Sequence, residues 1–522
     1  MRFVTLSILI VIVSGIVLLG PIQPQVIAQD TTSLGEKMSS EGLEVLFCSY
    51  FGGDSEEWSN DICFTDDGGF VLSGMTRSDD LPVHNAHQSV YAGAGDIFLV
   101  KVSSQFQVEF YTYFGGDGLE EPMALTIDHD GSIILAGGTS SSDLTTLNPI
   151  QEELNGTSDA FIAKFSPSGV LLFSTYLGGS DVERIEEVLV DSYGNYLIVG
   201  PTGSSDFYTT SGTHQDAYGG GDSDVFITSL SNDGQSIIYS SYFGNTTNED
   251  AWAVGIDLMD NLVVVGITNG DAIATDSAYQ QTYGGGQTDT FVAKFAPNCT
   301  SLSWSTLLGG NGWEFGDQVD FDSDNNVVVS GYTGSSDYPL VDQLYNDSSG
   351  YDAFFSILNP DGENLLLSSY LGGNSEDRSY AMRVLADDSI LITSPASSAN
   401  MPVQNAFQNY SGGSDGYIAL IGGEEPTILF GSHYGGSSND YVLGMSVYED
   451  DMIAVIGYTS SEDLPTINAI QDEYRGSSDS MVWVFGFEEI PIDNPPILAI
   501  VTAVIVVIAI VAVVLVFGLR RR

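Results

Sequence analysis

An aromatic-apolar-Gly-Gly tetrad recurs seven times along the chain at intervals of 63 to 66 residues. It reads Tyr50-Phe51-Gly52-Gly53, Tyr113-Phe114-Gly115-Gly116, Tyr176-Leu177-Gly178-Gly179, Tyr242-Phe243-Gly244-Asn245, Leu307-Leu308-Gly309-Gly310, Tyr370-Leu371-Gly372-Gly373 and His433-Tyr434-Gly435-Gly436. Other markers hold the same phase. A Gly closes the second apolar run at Gly74, Gly137, Gly200, Gly266, Gly331 and Gly457, with Ser394 as the exception. A Gln follows in each long connection (Gln88, Gln151, Gln215, Gln280, Gln343, Gln408, Gln471), and an Asp opens the third run (Asp96, Asp159, Asp224, Asp289, Asp352, Asp415, Asp479). Self-similarity of this length is the signature of a repeat architecture, in which each unit buries its faces against its neighbours.

One unit reads as four short strands. In residues 121–177, Ala124–Asp128 is a first strand, and Asp128-His129-Asp130-Gly131 a tight turn into Ile133–Ala136. A long polar connection leads to Ala160–Phe165, and Ser166-Pro167-Ser168-Gly169 turns into the fourth strand, ending at Leu177. Short apolar runs bounded by Gly, Asp, Ser and Pro, without helical periodicity, predict a four-stranded antiparallel sheet. Repeated sheets of this size around an axis make a propeller. The chain starts with a fourth strand, 43–51, and finishes with a first three, 440–487. Pairing these ends closes a ring of seven blades and hides two open edges, which the alternative, an open solenoid, would leave exposed. The expected fold class is therefore all-β: a seven-bladed β-propeller over 43–487, closed by its N-terminal strand.

The unit, with its Tyr-Leu-Gly-Gly start, Asp-x-x-Gly turn, Ser-Ser-x-Asp-Leu-Pro connection and Asp-Ala-Phe third strand, resembles the SBBP family of seven-bladed β-propeller repeats. The resemblance covers nearly all of 43–487. It implies a prokaryotic secreted or surface protein, archaeal by its short C-terminal anchor, and no shared reaction.

The ends set the expected topology. Residues 1–28 have the form of a secretory signal peptide: Arg2, an apolar stretch from Phe3 to Leu19, and Val26-Ile27-Ala28 as cleavage site. Residues 29–42 read as a linker and 488–496 as a stalk. Residues 497–519 are 23 uncharged positions followed by Arg520, Arg521 and Arg522. That length spans a hydrocarbon core of about 30 Å, and the arginines (520–522) hold a short tail in the cytoplasm. The propeller is thus expected outside the cell membrane as part of a single-pass protein. Successive antiparallel strands put the blade-to-blade and strand two-to-three connections on one face and the tight turns on the other. The stalk leaves from the tight-turn face, so the long-connection face is expected to look outward.

The charge balance, 13 Lys plus Arg against 70 Asp plus Glu for a net −57, excludes nucleic acid as a partner, because phosphate binding needs clustered cations. It fits a solvated surface, or capture of cations or cationic ligands. Acids after each tetrad mark a candidate binding face: Asp54, Glu56, Glu57, Glu120, Glu121, Asp181, Glu183, Glu249, Asp250, Glu376 and Asp377. Glycosylation acceptor triplets begin at Asn155, Asn245, Asn298, Asn346 and Asn409.

Catalytic and metal chemistry is thinly represented. His84, His87, His129, His214 and His433 are scattered, and no spacing singles out a triad. Asp128–Gly131 and Asp322–Asn325 resemble the opening of a calcium loop, yet neither has the Glu at position twelve, and both fit hairpin-turn chemistry. No cofactor is assigned, with Ca2+ left open. Three cysteines, Cys48, Cys63 and Cys299, do not make an even disulfide framework; Cys48 and Cys63 read as buried thiols, with a bridge between them also left open. The expected function is a non-catalytic interaction or adhesion module for an extracellular protein or glycan, recognising it by its membrane-distal loops. The alternatives are a glycan hydrolase or lyase working in the channel, and a structural envelope spacer.

Overall fold

The structure is a computed structural model and describes residues 12–13, 16–17, 33–270, 273–345, 350–423, 426–449 and 451–487. The expected stalk, membrane segment and cytoplasmic tail lie outside the described residues. So does the expected signal peptide, apart from a two-residue pairing of Ile12–Val13 with Ile16–Val17. The chain divides into Met1–Gly486, which holds every blade, and Phe487–Arg522, of which only Phe487 is described.

Seven four-stranded antiparallel sheets make up the ring. Blade 1 runs through Glu57–Phe64, Phe70–Thr76, Asp96–Val102 and Val108–Phe114, and blades 2 to 6 repeat this order. Blade 7 takes Asp440–Tyr448, Met452–Thr459 and Asp479–Gly486 from its own unit, and its fourth strand is Glu44–Phe51. The ring closes as expected. First strands of successive blades touch one another and line the axis.

Between blades the sheets pack face to face. One such core joins Val71, Leu99 and Phe114 of blade 1 to Ile133, Phe161 and Phe165 of blade 2. The tetrad tyrosine combines burial with a polar tip: Tyr176 is 1% exposed, donates to Ser141 O at 2.7 Å and accepts from Leu144 N at 3.0 Å. The long connection runs down the outer edge, where Leu147 bridges to Ser174 and Gln151 to Tyr176. It therefore covers a strand edge that would otherwise present unpaired backbone groups.

The Gly near the end of the second strand, present in every blade but the sixth, has a steric cause. A Cβ at Gly137 would lie 2.0 Å from Glu121 O, at Gly266 2.0 Å from Asp250 O, and at Gly331 1.8 Å from Phe315 O. These carbonyls belong to the second residue of the first strand, just before a β-bulge such as that between Pro122 and Ala124 or Gly316 and Gln318. The bulge inserts one unpaired residue and re-aims its side chain. Residues 29–42, expected as a linker, contain the helix Leu34–Glu41. Its Leu34 and Met38, one turn apart, are fully buried, and Lys37 pairs with Asp451 at 2.6 Å.

Candidate functional site

A buried acid stands at the head of every blade: Glu57, Glu120, Glu249, Glu314 and Asp440 open their first strands, Glu183 and Asp377 sit four residues ahead of theirs as isolated bridges to Thr202 and Ala396, and all seven are 0% exposed. Glu120 shows why. Its Oε1 accepts from Thr139 Oγ1 at 2.6 Å and its Oε2 from Gly116 N, in the preceding tetrad, at 2.9 Å. Alongside, Ser141 Oγ accepts from Gly118 N at 2.7 Å and Asp143 Oδ1 from Asp117 N at 2.8 Å. Gln88 completes the latch by accepting from Gly115 N at 3.1 Å and donating to Asp96 at 2.9 Å. Asp96 in turn accepts from Ala92 N at 3.0 Å and Gly93 N at 3.1 Å. The acid opening the third strand therefore braces a connection, as its position in the sequence indicates.

This corrects part of the expected binding face. Glu57, Glu120, Glu183, Glu249 and Asp377 are interior latch groups rather than surface acids. Asp54, Glu121, Asp181 and Glu376 are exposed, while Glu56 and Asp250 are half-buried. Among the acceptor triplets, Asn155, Asn298 and Asn409 are exposed, with Asn298 in a tight turn on the opposite face. Asn245 is half-buried and its side chain meets Glu249 at 3.4 Å. Asn346 lies outside the described residues.

Counted from the head acid, the second and fourth positions of each unit behave differently. The second residues are Trp58, Glu121, Arg184, Asp250, Phe315, Arg378 and Tyr441; the fourth are Asn60, Met123, Glu186, Trp252, Asp317, Tyr380 and Leu443. No type fills either position throughout. The sevenfold latch thus carries an asymmetric ring at the channel mouth, on the long-connection face.

Arginines gather there although the whole chain has only 13 Lys plus Arg. Arg77 lies 5.9 Å from the Trp58 ring centre and pairs with Glu56 at 2.7 Å. Arg184 lies 5.7 Å from Trp252 and pairs with Glu186. Arg378 covers Tyr332 at 5.1 Å and Tyr351 at 5.4 Å, pairs with Glu376 at 3.4 Å and donates to the Tyr380 hydroxyl at 3.3 Å. An aromatic arc joins the last two: Trp252 meets Phe315 at 6.5 Å, and Phe315 stacks on Tyr332 at 4.8 Å. Trp313 extends it, 6.2 Å from Phe315. Each guanidinium is held between a ring and a carboxylate, an arrangement suited to its planar charge.

Arg184 and Arg378 share a backbone cause. The residues across from them on the second strands are Pro201 and Pro395, which have no N–H to donate. In blade 6 Arg378 N still donates to Pro395 O at 3.3 Å, but the reciprocal bond is impossible. The continuous ladder accordingly starts only at Glu187 in blade 3 and Ala381 in blade 6, whereas it starts at Glu57 in blade 1.

Two polar atoms on the arc have no partner in the structure: Asp317 Oδ2 and Trp252 Nε1. Asp317 is 8% exposed. Burial holds its carboxyl well above the usual range against the pull of Arg378, and burial pushes Glu186 up to about 7 despite Arg184. Deeper in the channel a cavity of about 150 Å³ is lined by Asn60, Asp61, Glu187 and Arg383 among others. Burial raises Asp61 to about 6 and Glu187 to about 8. Asp61 also staples blades, accepting from Leu125 N at 2.9 Å.

The remaining candidates are dispersed. Among the described residues no group of His, Cys, Asp and Glu is arranged to hold a metal. In the Asp128 turn, Lys164 pairs with the carboxylate at 2.6 Å and Tyr196 donates to it at 3.1 Å. In the other turn Asp322 accepts from Asp324 N at 3.1 Å and Asn326 N at 2.8 Å. Those carboxylates serve hairpins. All three cysteines are free, so Cys48 and Cys63 are not bridged, and Cys63 is half-buried rather than buried.

No protein-family profile and no curated protein sequence matches this chain. Solved structures do. A protein of unknown function from Dyadobacter fermentans is similar over 86% of this chain and all of its own, at 10% identity and TM-score 0.41. BamB from Moraxella catarrhalis is similar over 85% of this chain and all of its own, at 9% identity and TM-score 0.38. An ulvan lyase of polysaccharide lyase family PL25 is similar over 80% of this chain and 93% of its own, at 11% identity and TM-score 0.44. The class is that of the seven-bladed β-propellers.

Proposed function

We propose that this chain is an SBBP-type propeller, exported, tethered by residues 497–519, and acting as a non-catalytic recognition module through its long-connection face. The observation that carries the reading is the contrast between a latch repeated in seven blades and a channel mouth in which neighbouring blades differ. Stability alone is served by the repeated groups. A mouth that concentrates arginines and aromatics in an acidic chain is better matched to a partner, since rigid scaffolds commonly carry recognition on such faces. The test is pull-down of envelope fractions by the full chain in nanodiscs. Arg184→Ala with Arg378→Ala is expected to lower capture at least tenfold, and Tyr193→Ala, in an exposed tight turn, to leave it unchanged. Equal capture by all variants would sink the reading.

A second reading, glycan hydrolysis or cleavage in the channel, is favoured by one observation. Glu186 and Asp317, acids whose carboxyls burial holds above the usual range, occupy the same ring as Tyr380. Release of new reducing or unsaturated ends from bound glycan by the same preparation would select it over binding.

A further inference from the structure

The buried hydrogen-bonding groups of the arc are incomplete in a particular way. Trp252 and Asp317 occupy the unpaired bulge positions of neighbouring blades 4 and 5. One leaves an indole N–H and the other a carboxyl oxygen without a partner, both buried. Buried polar groups are normally satisfied, so an orphaned donor and acceptor on one ring call for a ligand or a function. Trp252 meets Phe315 edge-on, Phe315 stacks on Tyr332, and Asp317 lies within electrostatic reach of Tyr332 and Tyr380. These rings are half-buried, leaving part of their surface accessible.

We propose that the Trp252–Asp317 corner of the channel mouth is a carbohydrate subsite, taking one ring of a neutral or N-acetylated glycan. The assignment rests on the recognition reading above and narrows it to a ligand class. A pyranose ring has an apolar C–H face and a hydroxyl edge. The face packs on the aromatic surface, while the edge accepts from Trp252 Nε1 and exchanges a hydrogen bond with Asp317, whichever of the two carries the proton. Charge selects within the class. Arg184 and Arg378 are already matched by Glu186 and Glu376, and a net charge of −57 repels polyanions. Uronate-rich or sulfated chains are therefore excluded in favour of uncharged ones.

The experiment titrates the full chain in nanodiscs with cellotriose, mannotriose, N-acetylchitotriose and, as the anionic contrast, trigalacturonate, following tryptophan emission and heat. At least one neutral trisaccharide is expected to bind saturably with a change in indole emission, at least tenfold tighter than trigalacturonate. Trp252→Phe, which keeps a ring and removes the N–H, and Asp317→Leu, which removes the carboxyl at similar volume, are each expected to weaken it at least tenfold. Asp317→Leu is expected to melt no lower than the parent, so its lost binding is not lost folding. Binding of none of the neutral sugars, preference for trigalacturonate, or binding indifferent to both variants overturns the assignment. If envelope capture persists in any of those cases, the recognition reading stands and only the glycan subsite falls.

Discussion

Glu120 and Asp317 are both buried acids near the start of a first strand, and they should respond to substitution in opposite directions. Glu120 accepts from Thr139 Oγ1 and Gly116 N, so Glu120→Ala strands two buried donors and is expected to cost roughly 1–3 kcal/mol. Chemical denaturation of the variant reads this as a lower midpoint. Asp317 has one oxygen with no partner, and Asp317→Leu is expected to add about 1–3 kcal/mol and raise the midpoint in the same assay. The difference was not legible locally. Glu120 and Glu121 are adjacent acids after a Gly-Gly pair, and what hides the first is a threonine 19 residues further on. Side-chain partners at that separation become visible only once strand register is known, which is why five latch acids read as surface groups.

At the scale of the strand, two prolines are placed where a central strand normally excludes them. Pro201 and Pro395 each pair with the third strand, at Val225 and Gly416, and interrupt the ladder toward the first. Pro395→Val supplies the missing donor to Arg378 O. It is expected to lengthen the first strand of blade 6, add about 0.5–1.5 kcal/mol, and protect the new amide in hydrogen exchange. An unprotected amide at 395 would show that the backbone there is held open by something other than proline. The blade itself was readable from sequence, because its Tyr, Gly, Gln and Asp markers perform the same steric and hydrogen-bonding task in most units. The mouth was not, because its residues share no type; comparing units at the second and fourth positions counted from the head acid is the signal that would have exposed it.

For the whole ring, the buried acids set a pH dependence. Burial raises Asp289, Asp415 and Asp479 to about 7, and Asp96, Asp224 and Asp440 to about 6. The folded state therefore holds more protons than the unfolded chain between about pH 4 and 7, and stability falls as pH rises through that window. Asp257 is held below its usual range, where bonds from Lys294 and Asn261 outweigh burial; its contribution is lost only in stronger acid and leaves the window's slope unchanged. Thermal melting at pH 5 is expected above that at pH 8. A midpoint that climbs with pH would mean the latch carboxylates fold already ionised.

The seventh blade joins Ser49 to Gln471 across 422 positions of sequence. During synthesis the strand Glu44–Phe51 is made long before Asp479–Gly486, so for almost the whole passage of the chain it has no strand to pair with, although Phe47 can already meet Phe70 of blade 1. The ring thus completes by a single late event, and a nascent propeller must be kept from neighbouring chains until its own end catches up with its beginning.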